Sequence, residues 1–440
     1  MKLTLTLLLA TLASANTNRT VNNVASCRTE RQDPNERLIA LSESQSCWLT
    51  DAEIRNLHQH NTGFVDATNG EWNELGRLGL ERTSLRLDAK GMYYTKSLWP
   101  LQSIHTTIVY PDGPAFPSVV EAATAKVQPK DLKDLLTTFV TKFTTRHKTS
   151  AEGLASAQWL YDQAATLSSS HGRSDIKTSV KKFDHGWGQF SIILRLDPVA
   201  TPKNQDLLIL GAHQDSINQR GGTAAPGADD DASGVVTNLV GLQYLLATPE
   251  WVPTRPIEYH FYSAEETGLQ GSTQIALQYA KEKVDVYAML QYDMTGWNRG
   301  GTKVISFTDD YTTLPLTLLL ESYVGAYLTT KASRNTCGYG CSDHAPWFKA
   351  GYPTVYPFEE DGDINPNIHS AKDTIETLDF DHMAEFTRLS VAFVVELSQS
   401  TDVPPTTDAP SDDEPTDEPT NDEPTDDEPT SDDDPTTEVP

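Results

Sequence analysis

Short apolar runs alternate with helical segments between residues 200 and 375, and this alternation limits the folds open to the chain. We predict strands at residues 207–210, 257–262, 286–290 and 304–307. Two segments between them, residues 233–246 and 269–282, have the apolar spacing of helices. Such alternation is typical of α/β domains, in which helices cover both faces of a largely parallel sheet. The sequence therefore predicts one α/β domain around a central, mostly parallel mixed sheet.

Polar motifs follow these strands at their carboxyl ends, which is where the functional residues of such sheets lie. His213 follows the first strand in the motif GAHQDS, and Asp215 comes two residues later. Side chains two residues apart in an extended segment share a face, so Asp215 could accept the second N–H of His213. Metal-bound histidines usually have such a carboxylate partner. A single histidine by itself is nevertheless more often a structural residue than a ligand.

Further carboxylates and a second histidine extend this pattern. Residues 229–231 are three adjacent aspartates before an apolar helix. The N-terminus of a helix favours negative charge, which would explain one aspartate. Three adjacent aspartates in a Gly-flanked loop instead indicate a cation site. Glu265 and Glu266 follow the second strand, Asp293 follows the third, and His369 lies on a Pro-rich loop. Histidine nitrogen with carboxylate oxygen suits zinc, whereas calcium favours oxygen ligands alone. Three carboxylates and a bridging hydroxide would balance two zinc ions.

Six motifs together resemble those of a known family. The motifs GAHQDS, PGADDDASG, SAEETGLQGS, QYDMTG, CGYGCSDH and NPNIHS have the order and approximate spacing found in the secreted leucyl aminopeptidases, which are two-zinc exopeptidases of bacteria and fungi. The resemblance covers about residues 115–400. It implies a metallo-aminopeptidase with two Zn²⁺ ions. Its expected substrates are peptides with a free N-terminus and an apolar, leucine-like first residue.

The resemblance also implies roles for individual residues. The implied zinc ligands are His213, Asp230, Glu266, Asp293 and His369, with Asp230 as the bridge. The residues alone do not distinguish Asp230 from its neighbours Asp229 and Asp231. Glu265 matches the family's general base, which takes a proton from a zinc-bridging water. Tyr339 matches a tyrosine that donates a hydrogen bond to the developing oxyanion.

The resemblance also implies an apolar substrate pocket. The residues at or near these positions are Met294, Phe307, Tyr339, Tyr356 and Phe358. For Phe307 and Tyr356, a place in the ordinary core is an equal alternative. Tyr356 is larger and more polar than an aliphatic residue, which leaves open the preference for leucine over methionine or phenylalanine.

The two ends of the chain differ from its middle. Residues 1–15 have the basic, apolar and small-residue order of a secretory signal peptide, which predicts a secreted, extracellular protein. Residues 16–110, with a glycosylation sequon at Asn18, are polar and weakly patterned; we interpret them as a propeptide, with a permanent accessory domain as the alternative. Residues 111–400 form the predicted catalytic domain. Residues 401–440 hold sixteen acidic residues and neither Lys nor Arg, which predicts a disordered acidic tail.

The four cysteines fit an exported protein, in which disulfides persist. Cys337 and Cys341 enclose only three residues, and we expect a small disulfide loop that fixes Tyr339, as in the family. The alternative is a mononuclear metal site with His344. Cys27 and Cys47 then pair with each other by default.

The charge of the chain excludes some classes of partner. The net charge is −28, and without the sixteen acidic residues of the tail it is −28 + 16 = −12. No basic cluster with interleaved aromatics occurs, so we expect no nucleic-acid binding. After the signal peptide no apolar run approaches the ~20 residues of a membrane span, and we expect a soluble monomer.

Three other functions stay open at this stage. A glutaminyl-cyclase-like relative would share the fold but use one zinc ion, and it would not need five ligands together with Glu265. A binding module would lack ligands, and none is missing. In a wall-associated protein, the function would reside in residues 402–440 rather than in the catalytic motifs.

Overall fold

The computed structural model describes residues 27–42, 45–59, 63–90, 108–200, 205–360 and 364–399. The predicted signal peptide, the sequon at Asn18 and the predicted acidic tail lie outside these residues. No helix within the described ranges is long and apolar enough to cross a membrane.

The described residues contain ten α-helices and twelve strands. The helices are α1 (Asp51–Gln59), α2 (Glu71–Lys90), α3 (Pro117–Thr124), α4 (Pro129–Lys142), α5 (Ala151–Ser170), α6 (Ala232–Leu246), α7 (Gln270–Glu282), α8 (Leu314–Tyr327), α9 (His344–Lys349) and α10 (Phe380–Gln399). The strands are β1 (Arg37–Ala40), β2 (Ser46–Leu49), β3 (Val65–Asp66), β4 (Ile176–Phe183), β5 (Ser191–Pro198), β6 (Leu207–His213), β7 (Ile257–Tyr262), β8 (Val286–Gln291), β9 (Val304–Thr308), β10 (Lys331–Asn335), β11 (Thr354–Val355) and β12 (Pro357–Phe358).

Six strands form the central sheet in the order β11-β8-β6-β7-β5-β4. Strands β11, β8, β6 and β7 are parallel, while β5 runs antiparallel to both β7 and β4. The predicted mostly parallel mixed sheet is therefore confirmed. Three of the four predicted strands are β6, β7 and β8. The fourth is β9, which pairs with β10 and β12 in a separate three-stranded sheet.

Strand β6 lies at the centre of the domain, and all seven of its residues are buried. Its side chains alternate between two hydrophobic cores, because successive residues of a strand point to opposite faces. Leu208 and Leu210 pack into the core that contains α4, α6 and α10. Leu207 and Ile209 pack into a second core with α7 and α9. Helices thus cover both faces of the sheet, as the sequence predicts.

Local sequence signals explain where the helices begin. The Asp231 side chain accepts a hydrogen bond from the Gly234 N–H and caps α6. Ser150 caps α5 in the same way through the Gly153 N–H. Helix α4 begins at Pro129, whose missing N–H is not needed in the first turn.

Residues 27–90, which we call the N-terminal segment, form a small unit with regular structure despite their weak sequence pattern. Strands β2, β1 and β3 make an antiparallel sheet, and a disulfide joins Cys27 to Cys47. Helix α2 packs against α7 and α9. A β carbon at Gly79 would collide with the backbone carbonyl of Lys349, so glycine permits this close approach.

Candidate metal centre

The carboxyl ends of three neighbouring strands carry the predicted ligands. Strand β6 ends at His213, Glu265 and Glu266 follow β7, and Asp293 follows β8. Because β6 pairs in parallel with β7 and with β8, these ends meet at one edge of the sheet. His213 is completely buried there.

Asp230 lies between the two predicted histidine ligands. Its Oδ1 atom is 3.0 Å from Nε2 of His213, and its Oδ2 atom is 2.9 Å from Nε2 of His369. Oε2 of Glu266 lies 3.0 Å from the same His369 nitrogen. Oδ1 of Asp293 lies 3.4 Å from the His213 nitrogen. The five predicted ligands thus converge around one carboxylate that faces both imidazoles.

The three adjacent aspartates have different surroundings. Asp231 accepts hydrogen bonds from the backbone N–H groups of His213, Gly234 and Met294. Asp229 accepts from the Gly296 N–H and from the Asn365 side chain. Both carboxylates therefore have structural partners, whereas the two oxygens of Asp230 face histidines.

Two groups of three side chains have the spacing of metal ligands. Their donor atoms lie within 4.8 Å of one another in the groups His213, Asp231, Asp293 and Asp230, Glu266, His369. The first group contains Asp231 where the resemblance implies Asp230. Oδ1 of Asp230 is also close to His213, and the three backbone N–H groups bound by Asp231 compete with any metal contact.

Asp215 connects the histidine to the loop that follows β7. Its Oδ1 atom is 3.6 Å from Nδ1 of His213, which is longer than a direct hydrogen bond. Its two oxygens accept hydrogen bonds from the backbone N–H groups of Glu265 and Glu266, at 3.1 and 3.3 Å. Asp215 therefore fixes the position of the two glutamates relative to β6.

The concentration of buried carboxylates shifts their protonation. Burial, together with neighbouring carboxylates, raises the pKa of Glu265 well above its usual value. Burial and the charge of Asp230 raise the pKa of Glu266 to about 7. Although burial opposes the shift, contacts with His369 and His213 lower the pKa of Asp230. Divalent cations would supply positive charge that compensates these buried carboxylates.

The ring of His213 gives a second indication that the donor set fits a metal ion. Neither ring nitrogen makes a well-directed hydrogen bond with a described residue, although the side chain is fully buried. Nε2 is nevertheless surrounded by oxygens of Asp230, Asp293 and Glu265 at 3.0, 3.4 and 4.0 Å. A buried imidazole that faces several carboxylates without hydrogen bonding to them is the arrangement expected of a metal ligand.

Tyr339 lies on the small loop closed by the disulfide Cys337–Cys341. Oδ2 of Asp310 accepts the N–H groups of Cys337 and Gly338, which fixes this loop. Burial, together with the charges of Glu265 and Asp293, raises the pKa of Tyr339, so its hydroxyl stays protonated. The disulfide rules out the alternative thiolate metal site at this loop.

Of the predicted pocket residues, some lie beside the metal centre and one lies in the hydrophobic core. Met294 and Tyr356 are buried next to the metal centre, and the Tyr356 hydroxyl donates a hydrogen bond to the Asp293 carbonyl, at 3.2 Å. Phe358 is half-buried, with its ring centroid 6.0 Å from that of Tyr356. Phe307 is completely buried in the main hydrophobic core.

The sequence did not reveal several residues that support the ligands. Ser342 donates a hydrogen bond to Oδ2 of Asp293, at 2.6 Å. Asp373 accepts the N–H groups of Asp229 and Asp230. Gln219 contacts Nδ1 of His369. Ser342 lies within the motif CGYGCSDH, whereas Asp373 and Gln219 lie three residues after the motifs NPNIHS and GAHQDS, respectively.

The chain is similar in sequence to known proteins. Residues 191–394 match Peptidase family M28. The chain is 37% identical to Leucine aminopeptidase 1 of Pyrenophora teres f. teres, over 83% of this chain and 89% of that protein. It is 36% identical to Leucine aminopeptidase 1 of Emericella nidulans, over 84% of this chain and 90% of that protein.

Solved structures show the same fold. The crystal structure of the Legionella pneumophila LapA aminopeptidase is similar, with a TM-score of 0.67 and 24% identity, over 83% of this chain and 99% of that chain. LapB from the same organism has a TM-score of 0.65, over 83% of this chain and 100% of that chain. These structures show the fold, whereas the family match and the sequence relatives establish that the protein is a hydrolase of the metallo-aminopeptidase type and that the chain belongs to peptidase family M28.

Proposed function

We propose that this protein is a secreted, monomeric two-zinc aminopeptidase that hydrolyses the first peptide bond of peptides with an apolar, leucine-like N-terminal residue. The observation that carries the proposal is the position of Asp230, whose two oxygens face His213 and His369 at 3.0 and 2.9 Å. A carboxylate in this position can bridge two metal ions. The names of the curated relatives, Leucine aminopeptidase 1, support the substrate class.

Five side chains would hold the two ions. His213 and Asp293 would serve one ion, Glu266 and His369 the other, and Asp230 both. When bound, the two zinc ions would acidify a water molecule and polarise the carbonyl of the scissile bond. Carboxylate and imidazole donors suit zinc.

Glu265 would be the general base. Its side chain is 13% exposed and lies beside the ligands, with Oε2 4.0 Å from Nε2 of His213. The hydrogen bond from its backbone N–H to Asp215 fixes its position. We propose that Glu265 takes a proton from the attacking water and passes it to the nitrogen of the leaving amine.

Tyr339 would stabilise the oxyanion. Because its raised pKa keeps the phenol protonated, it can donate a hydrogen bond as negative charge develops on the carbonyl oxygen. The apolar side chains of Met294, Tyr356 and Phe358 would contact the first side chain of the substrate. The acidic surroundings favour a free, positively charged α-amino group, which internal peptide bonds lack.

Residues 16–110 would be a propeptide that covers the active site until it is removed. Within the N-terminal segment, Gly63 lies directly against the Tyr339 hydroxyl. Two residues further along, strand β3 begins, and its Asp66 N–H donates to the Gly268 carbonyl on the loop that carries Glu265. The acidic tail at residues 401–440 would be a solvated spacer.

The experiment that tests this function is hydrolysis of leucyl-p-nitroanilide by the purified protein after removal of the N-terminal segment. Activity should disappear on chelation and return when zinc is restored. A metal analysis of the active form should give two zinc ions per chain. Absence of hydrolysis in a folded, zinc-loaded protein would overturn the proposal, and conversion of a glutaminyl peptide to a cyclic product would replace it with the cyclase function.

A further inference from the structure

The two histidines of the metal centre have chemically different partners at their outer ring nitrogens. Nε2 of His213 and Nε2 of His369 both face Asp230. On the outer side of His213, the nearest carboxylate belongs to Asp215, 3.6 Å from Nδ1. On the outer side of His369, Nδ1 lies 3.0 Å from Oε1 of Gln219, which belongs to a neutral amide.

Gln219 contacts His369 twice. Besides the side-chain contact, the backbone N–H of Gln219 donates a hydrogen bond to the His369 carbonyl, at 2.9 Å. His369 itself has a positive φ of 52°, a conformation that is unusual for a residue other than glycine. The two contacts therefore fix both the backbone and the ring of a residue in an uncommon conformation.

The same contacts fix the protonation of the ring. Nε2 of His369 faces oxygens of Asp230 and Glu266, at 2.9 and 3.0 Å, so this nitrogen must be free of its proton to bind a metal ion. The proton then resides on Nδ1, where it can be donated to the amide oxygen of Gln219. A leucine at this position would leave the Nδ1–H group without that acceptor.

The surroundings make His369 more dependent on such support than His213 is. The His213 side chain is completely buried at the end of a central strand, whereas the His369 side chain is 22% exposed and lies on a loop. Neighbouring side chains and strand pairing hold His213 in place. At His369, the side-chain oxygen and the backbone N–H of Gln219 contact the ring and the carbonyl of the histidine.

We infer that Gln219 is a positioning residue that orients His369 and sets the metal affinity of the position formed by Asp230, Glu266 and His369. This inference rests on the proposed two-zinc function. Removing an outer partner of a metal-bound histidine lowers metal affinity by about 10- to 100-fold. A carboxylate in place of the amide should have the opposite effect, because it increases the basicity of the imidazole.

The test is a zinc titration of the purified full-length protein, stripped of metal and then competed against a chromophoric chelator. For Gln219→Leu we expect one of two binding steps to weaken by about 10- to 100-fold while the other is unchanged. For Gln219→Glu we expect the same step to tighten. The reference is His369→Ala, which should lose the step that Gln219→Leu weakens. The matched control is Gln278→Leu, because Gln278 is an exposed residue of α7 whose side-chain amide donates a hydrogen bond to the nearby Glu282.

The outcomes separate this inference from the proposed function. If the unaltered protein binds two zinc ions and Gln219→Leu binds both with unchanged affinity, the inference fails and the two-zinc function stands. Equal weakening of both steps would also contradict a role specific to His369. If the unaltered, folded protein binds no zinc, the proposed function itself fails.

Discussion

Gly63 approaches the hydroxyl group of Tyr339 so closely that a β carbon at position 63 would overlap the phenol. The contact joins the N-terminal segment to the disulfide loop of the catalytic domain. Nearby, Asp66 accepts a hydrogen bond from the Gln270 side chain, at 3.0 Å, and its backbone N–H donates to Gly268. The segment therefore contacts both the loop with the proposed general base and the loop with the proposed oxyanion donor.

A larger residue at position 63 should displace the segment from the active site. We expect Gly63→Val to raise leucyl-p-nitroanilide hydrolysis by the uncleaved protein about tenfold or more, which corresponds to about 1.4 kcal/mol of weakened contact. Cleavage at a protease site introduced between residues 91 and 107 should raise activity further and make both proteins equal. Gly113→Val is the control, because a β carbon at Gly113 meets open space. Full activity of the uncleaved, unaltered protein would contradict a covering role.

Loss of the proposed general base should slow the reaction without removing the metal. We expect Glu265→Gln to lower kcat by about 10²- to 10⁴-fold, the usual contribution of general acid–base catalysis. Its zinc content should remain equal to that of the unaltered protein. The control is Glu282→Gln on the exposed end of α7. A kcat within twofold of the original value would exclude Glu265 from proton transfer.

The Tyr339 hydroxyl should matter mainly in the transition state. Because the phenol is protonated and held by a fixed loop, we expect Tyr339→Phe to reduce kcat by about 10²- to 10³-fold with little change in KM. Tyr161→Phe, at a half-buried tyrosine whose ring packs edge-on against Phe190, provides the control. An effect confined to KM would instead indicate a role in substrate binding.

Asp231 should contribute chiefly to stability. Its carboxylate accepts the backbone N–H groups of His213, Gly234 and Met294, all of them buried. We expect Asp231→Ala to lower the free energy of unfolding by roughly 3 to 5 kcal/mol, because three buried donors lose their acceptor. Urea denaturation measures this change, with Asp162→Ala on an exposed face of α5 as the control. A loss below 1 kcal/mol would show that other acceptors replace the carboxylate.

His185 should make the stability of the protein depend on pH. The ring of His185 stacks on that of Trp187. Burial lowers the pKa of His185 from 6.5 to about 4. Between these values the unfolded chain binds a proton that the folded protein does not. Acidification from pH 6.5 to pH 4 therefore favours unfolding, by about 3 kcal/mol in total from this group.

Replacement of His185 by glutamine should remove that contribution. We expect the difference in unfolding free energy between His185→Gln and the unaltered protein to change by about 3 kcal/mol between pH 6.5 and pH 4, in favour of the variant at low pH. Urea denaturation at several pH values measures it. Parallel pH profiles for the two proteins would contradict the shift.

The sequence predicts three strands of the central sheet, β6, β7 and β8, because they are continuous apolar runs whose residues are all buried. It misses β5, an inner strand of the same sheet in which polar residues interrupt the apolar run. It misses β4, an edge strand in which exposed residues recur between more buried ones. It also groups the run at residue 304 with the others, although β9 belongs to another sheet. Pairing partners depend on contacts between distant segments, and no local pattern encodes them.

The candidate site shows the same division. The residue types at the strand ends indicate a metal centre, since they follow recognisable strands. The choice of Asp230 over Asp229 and Asp231 depends on which carboxylates already accept backbone N–H groups, which only the folded chain shows. Gln219 escapes prediction because a single glutamine after a motif carries no sequence signal that relates it to His369, 150 residues away.

The alternation of β6 between two cores has a consequence for how accurately the metal centre is assembled. A shift of one residue along this strand would exchange the side chains of the two cores, so the packing on both faces opposes any slip. The register of β6 with β7 sets His213 opposite Tyr262, the last residue of β7, which directly precedes the loop that holds the glutamates. Packing in the apolar interior thus fixes the positions of the ligands along their strands. The ligand side chains and loops therefore lose little conformational entropy when an ion binds.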